Sequence, residues 1–167
     1  MLKLHPYNRQ SAVEYAVKFA INPNRKFFDY TNSGGNCANY VSQCVLAGAP
    51  QMNLGANGWF YFSPANTSIS WANVEPFFNF ATTNLKEGFF ANSTKNFELL
   101  DIGDVVQLKF ANKSVFSHSL IVTKIINRSP SGILVCANSR NVLNVPISSY
   151  VFKEYRILHI LGYRTKE

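Results

Sequence analysis

Apolar positions along this chain change their period near Gly88. Before it they recur at helical spacing. In "NRQSAVEYAVKFAI", Ala12, Val13, Ala16, Phe19 and Ala20 fall near one face, with Asn8 standing where an N-cap belongs. The loop "NPNRKFFDYTNSGGN" leads into a second predicted helix, "CANYVSQCVLAG", closed by Gly48. Residues 49–70 carry Gly, Pro, Asn and Ser around "GWFYF" and predict an irregular excursion. A third helix is expected from about Asn73 to Asn84, because Pro76 is tolerated in a first turn and Val74, Phe77, Phe78 and Ala81 form a stripe. After Gly88 the runs are short and β-branched or alternating. "GDVVQLKF", "VFSHSLIVTKII", "GILVCAN" and "YRILHILGYR" are separated by "ANKS", "NRSPSG" and "NVPISSY", which predicts an antiparallel sheet. Helices first and strands second is an α+β order, with the helices packed on the sheet.

The 167 residues suit a single domain, 1–167, long enough to bury a core without metals or disulfides. Hydrophobic residues at 47% and charged ones at 15% make it globular rather than disordered. No run approaches the ~18 apolar residues that span a bilayer, and "MLKLHPYNRQ" lacks the apolar stretch of a secretory signal. A soluble protein is expected, cytoplasmic as it stands or exported by a route the chain does not display. The net charge of +7 points to an anionic partner, but the sixteen Lys and Arg are scattered without a recognition motif, so nucleic acid is not expected. Three cysteines exclude a disulfide framework. Nothing in the pattern sets an oligomeric state.

One cysteine is placed for chemistry. Cys37 follows two glycines and opens the second helix, where free backbone N–H groups and the helix dipole stabilise a thiolate, lower its pKa and offer a seat for an oxyanion. Of three histidines, His118 alone has a polar setting at a strand start, in "FSHSLIV", and is the candidate base. His5 lies near the terminus, and His159, between Leu158 and Ile160, reads as a packed strand residue. The hairpin around "NRSPSG" returns Asn138 to within one to three residues of the level of His118, where an amide oxygen can accept the ring N–H. Cys44 sits two turns further along, roughly 10.5 Å up the axis from Cys37, too far for a disulfide, and is expected to pack with Val41 and Val45. Asp101 and Asp104 bracket "IG" as a turn entering a strand. Trp59, Tyr61 and Trp71 are candidates for lining a substrate cleft, weighed against plain core packing. No Gly-x-Ser-x-Gly elbow, phosphate loop or Cys-x-x-Cys is present, and no cofactor or metal is expected.

The blocks "YNRQSAVEYAVKFAINPN", "SGGNCANYVSQCVLAG", "ISWANV", "DIGDVV" and "SHSLIVTKI", in that order, resemble the putative amidase domain of Gram-positive bacteria, a relative of the papain-like NlpC/P60 and CHAP peptidoglycan hydrolases. The strongest likeness runs from Gly34 to Gln43, against a Gly-Gly-Asp-Cys-Thr-Asn-Phe-Val-Ser-Gln signature. The resemblance implies a papain-like, NlpC/P60-type α+β fold, Cys37 as nucleophile, His118 as general base and Asn138 in the third position. It implies a cysteine amidase or peptidase acting on peptidoglycan or another peptide amide. Asn36 replaces the Asp of the signature and is a candidate oxyanion donor; Asn138 replaces the His of a His-Thr pair, here "NS". The same thiol machinery also suits a deamidase or acyltransferase acting on a protein, and an inactive wall-binding module is the non-enzymatic alternative.

Overall fold

The computed structural model describes residues 1–167 as helices stacked on one face of a seven-stranded antiparallel sheet. The elements run β1 (Leu2–His5), α1 (Arg9–Phe19), α2 (Cys37–Gly48), β2 (Tyr61–Ser63), β3 (Asn66–Thr67), α3 (Ile69–Ala72), α4 (Val74–Thr83), β4 (Gly88–Thr94), β5 (Val105–Lys109), β6 (His118–Ile125), β7 (Ile133–Ala137), β8 (Val142–Pro146) and β9 (Glu154–Lys166). The long β9 carries β4 on one side and both β1 and β5 on the other, and the sheet continues through β6, β7 and β8. This is the expected α+β architecture.

The predicted helices form where their apolar spacing puts them. Asn8 caps α1, its side-chain oxygen accepting from Ser11 N at 3.0 Å, as its position suggested. The small Ala12 and Ala16 let α1 approach α2 closely enough for the Tyr40 hydroxyl to reach Ala16 O at 2.6 Å. α2 is the central helix, with ten of its twelve residues buried, so it packs on nearly every side. Gly48 is the last residue of α2, and glycine is needed there because a Cβ would sit 2.4 Å from the Tyr7 ring and 2.6 Å from Asn8 O. That close approach ties the end of α2 to the start of α1, through Asn8 N to Gly48 O at 2.9 Å.

Strand alternation divides the core in two. Val105, Ile121, Cys136, Leu158 and Ile160 face the helices and join Tyr40, Val41, Cys44 and Val45 of α2. Val106, Leu108, Leu120, Val122, Val135, Ala137 and Ile157 face the other way, where Leu100, Phe110, Ile147, Tyr150, Phe152 and Tyr155 cover them. Strands β1, β4 and β8 lie outside the runs that the alternation predicted. The first is four residues long, β4 ends in the polar "NST", and β8 is an edge strand carrying Pro146; strands paired on one side or half-exposed need no continuous apolar run. The 49–70 excursion holds the small β2–β3 hairpin. No helix is long and apolar enough to cross a membrane.

Candidate active site

Gly34 and Gly35 take φ of +101° and +111°, which a side chain resists, and this left-handed path swings the chain into α2 with Cys37 as its first residue. Asn36 holds the turn. Its side-chain oxygen accepts from Tyr30 N at 3.0 Å and from Asn39 Nδ2 at 2.8 Å, its Nδ2 donates to Asn138 Oδ1 at 3.2 Å, and its backbone N–H donates to Ser139 Oγ. With these partners the Asn36 side chain braces the turn, and one of its two amide hydrogens is committed to Asn138. Trp71 Nε1 donates to Asn39 Oδ1 at 2.8 Å and Trp59 Nε1 to Ser42 Oγ at 2.9 Å, both tryptophans fully buried. They anchor α2 from behind and line no cleft, because the only bonds available to their N–H groups lie in the core.

The Cys37 thiol meets the start of β6. Its Sγ lies 3.9 Å from Ser117 O, eighty residues along the chain and one residue before His118. Burial raises the thiol pKa above its ordinary value, while the N–H groups of Ser119, Ala38 and Cys37 itself pull the other way. The expected depression by the helix terminus is therefore outweighed, since a thiol 8% exposed loses more hydration than the helix N–H groups return. Burial also lowers the His118 pKa to about 4. The pair rests as a thiol and a neutral imidazole.

β6 alternation directs His118 to the side of Leu120, away from α2. Its ring centroid lies 5.5 Å from that of Tyr150 and 6.2 Å from that of Phe110. No hydrogen bond joins His118 to Cys37 or to Asn138. Pairing of Ile121 with Cys136, continued by two residues, sets Asn138 across from Ser119. Asn138 thus points to the helix side, donating to Ala20 O at 2.8 Å and Ala137 O at 3.2 Å. In this arrangement it does not take the His118 ring N–H, because a one-residue offset in an antiparallel pair reverses the face. Tyr150 does touch the ring, and its hydroxyl is buried without a partner. Burial is the main reason that the pKa of this hydroxyl is raised, with Arg140 pulling the other way. Sequence reasoning missed Tyr150, Ser139 and Asn39; an aromatic in a loop before β9 carries no local signal of where it folds.

A polar brace fixes the β6 start. The Arg156 guanidinium lies 3.6 Å from the Phe78 ring centroid and 4.0 Å from that of Phe116, and bonds Glu75 at 3.0 Å and Gln107 Oε1 at 2.8 Å. Gln107 Nε2 in turn reaches Ser119 Oγ at 3.1 Å, and Phe116 N donates to Glu75 Oε1 at 3.3 Å. The histidine-bearing strand end is held from both sides.

A thiol at a helix N-terminus, with backbone N–H groups turned on it and a histidine at the adjoining strand end, is equipment for acyl chemistry. The chain belongs to the Putative amidase domain family, whose model matches residues 6–161. It is 35% identical over 120 residues to uncharacterized protein YhbB of Bacillus subtilis (strain 168), covering 70% of this chain and 37% of that one. Uncharacterized protein YjcM of the same organism is 28% identical over 157 residues, covering 89% of this chain and 34% of the relative. The chain thus spans about a third of the length of these relatives. No solved structure matches it. Asn36 and Asn138, the two positions at which the sequence departs from the motif it resembles, are hydrogen-bonded to each other.

Proposed function

We propose that the protein hydrolyses amide bonds as a cysteine amidase or peptidase of papain-like, NlpC/P60-type arrangement, acting on peptide amides of the bacterial cell wall. The observation that carries this reading is the Cys37 thiol lying against Ser117 O, which brings the residue beside His118 to the first turn of α2. Family membership supports amide hydrolysis as the reaction.

In the proposed reaction His118 takes the Cys37 proton as sulfur attacks the amide carbonyl. The N–H groups of Ala38 and Cys37 that already face the thiol receive the oxyanion, the C–N bond breaks, and the departing amine takes the proton from His118. Water, deprotonated by the same imidazole, then releases the acyl group and restores the thiol. Catalytic hydrogen bonds commonly tighten only when substrate is bound, and here the imidazole has to turn from Tyr150 onto the thiol. Asn138 acts at one remove, fixing Asn36 and through it the approach to Cys37. A wall rich in anionic polymer suits the +7 charge.

The test is mass spectrometry of purified muropeptides after incubation with the protein and with Cys37→Ala. New amine and carboxyl products from the wild type alone are expected. Products formed equally by a folded Cys37→Ala variant would overturn the thiol mechanism, and unchanged muropeptides would remove the wall peptide as substrate.

A further inference from the structure

Buried polar groups in folded proteins almost always find a hydrogen-bond partner, so those that do not call for an explanation. This chain has two such side-chain atoms, the hydroxyls of Tyr30 and Tyr150. Tyr150 lies against His118. Tyr30 begins the loop that delivers Cys37, where its carbonyl accepts from Ser33 N at 2.8 Å and Gly35 N at 3.0 Å, and its N–H is held by Asn36. The loop is therefore fixed before any ligand arrives, and only the hydroxyl is left without a bond.

Tyr30 also lines a cleft of about 280 Å³ between this loop and α3, with Ser33, Gly34, Gly35, Ser68 and Asn73 among the other walls. That volume is at the small end of the ~300–1,000 Å³ typical of ligand pockets and suits one or two residues of a chain. None of its ten lining residues is charged, in a protein with sixteen Lys and Arg. The neighbouring cleft across Pro64 does carry charge, from Arg25, Lys26 and Asp29, so neutrality belongs to this cleft and not to the whole region. A free amino or carboxyl terminus placed here would lose hydration without gaining an opposite charge, whereas a peptide group would gain hydrogen bonds.

We propose that this cleft, walled by the Gly34–Gly35 turn that leads into Cys37, is a substrate subsite, that it seats an uncharged internal stretch of peptide rather than a charged terminus, and that the Tyr30 hydroxyl bonds it. Tyr30 is half-buried, which leaves its ring room to turn toward the occupant. The inference rests on Cys37 being the reacting centre, and it names the class of substrate that centre is given.

The experiment is a titration of full-length Cys37→Ala, labelled with ¹⁵N, by the blocked dipeptide N-acetyl-Ala-Ala-N-methylamide and by its free-amine counterpart, following backbone amide shifts. Saturable shifts at Ser33, Gly34, Gly35, Ser68 and Asn73 are expected with the blocked peptide, with binding at least threefold weaker for the free amine. Adding Tyr30→Phe, which deletes an oxygen with no bond inside the protein and so leaves the fold intact, should weaken the blocked peptide about fivefold. No saturable shift at these amides, equal or tighter binding of the free amine, or undiminished binding by Tyr30→Phe would each overturn the proposal. Because the variant is inert, binding without any wild-type hydrolysis would sink the amidase reading and leave the cleft a peptide-binding site without a reaction, whereas hydrolysis without cleft binding would sink this inference alone.

Discussion

Cys37 shows how one side chain balances opposed terms. Its position at the helix start favours the thiolate, and its burial favours the thiol; burial prevails. Iodoacetamide should therefore modify Cys37 before the fully buried Cys44 and Cys136, but slowly, with a rate that keeps rising above pH 9. A plateau already reached by pH 6, read by peptide mass mapping, would mean that the thiolate is present at rest. Cys44 behaves as the spacing implied, unpaired and with its thiol pKa raised by burial. Tyr150 offers a sharper test of the site. Its hydroxyl makes no bond in the folded protein, so Tyr150→Phe should keep or slightly raise the melting temperature. If that hydroxyl bonds the imidazolium or the substrate during reaction, the same variant should lower kcat about tenfold with little change in KM. Unchanged kcat would make Tyr150 a packing residue only.

At the scale of elements, two polar clusters hold the strands that frame the site. The fully buried Asp104 accepts from Arg9 at 2.7 Å, His159 Nδ1 at 2.7 Å, Asp101 N at 2.8 Å and Ile160 N at 3.0 Å, locking α1, β5 and β9 together. The sequence pattern shows the turn at Asp101–Asp104, which forms, with Asp104 N bonded to Asp101 O. It does not show the cross-chain anchor. Asp104→Asn keeps the shape but leaves Arg9 short of its counter-charge, and should cost about 3 kcal/mol in urea unfolding. Arg156→Ala removes two cation–π contacts and the bonds to Glu75 and to Gln107 Oε1, with an expected cost of about 2 kcal/mol. Faster amide exchange at residues 116–119 should accompany it, because Arg156 braces that segment. A loss of stability with unaltered exchange there would place the brace elsewhere.

For the molecule as a whole, the half-buried, neutral imidazole of His118 sets a pH dependence. The unfolded chain takes up a proton at His118 near the ordinary value of 6.5, and the folded protein refuses it until about pH 4. Unfolding therefore gains protons in that window, so stability falls as pH drops from 6.5 and levels off below about 4, by at most about 3 kcal/mol. His118→Asn should flatten the melting temperature between pH 6.5 and 4 relative to the wild type. Parallel curves for the two proteins would show the ring to be solvated after all.

The chain's own pattern determined α1 with its Asn8 cap, α2 from Cys37 to Gly48, α4, and the sheet strands carrying His118 and Cys136, because each is built from contacts a few residues apart whose periodicity the apolar residues record. It also singled out Cys37, since two glycines before a helix are a local signal. The rest was decided by packing between distant segments. Only the tertiary structure sets Asn138 against Asn36 instead of His118, buries Trp59 and Trp71, and lays Tyr150 on the imidazole. Each of these depends on strand register or on which side of a sheet a residue emerges. A shift of one residue reverses that side while leaving composition and hydrophobic count unchanged. The thiol pKa follows the same rule: position along the helix is written in the sequence, but the burial that overrides it comes from the walls the rest of the chain builds around Cys37.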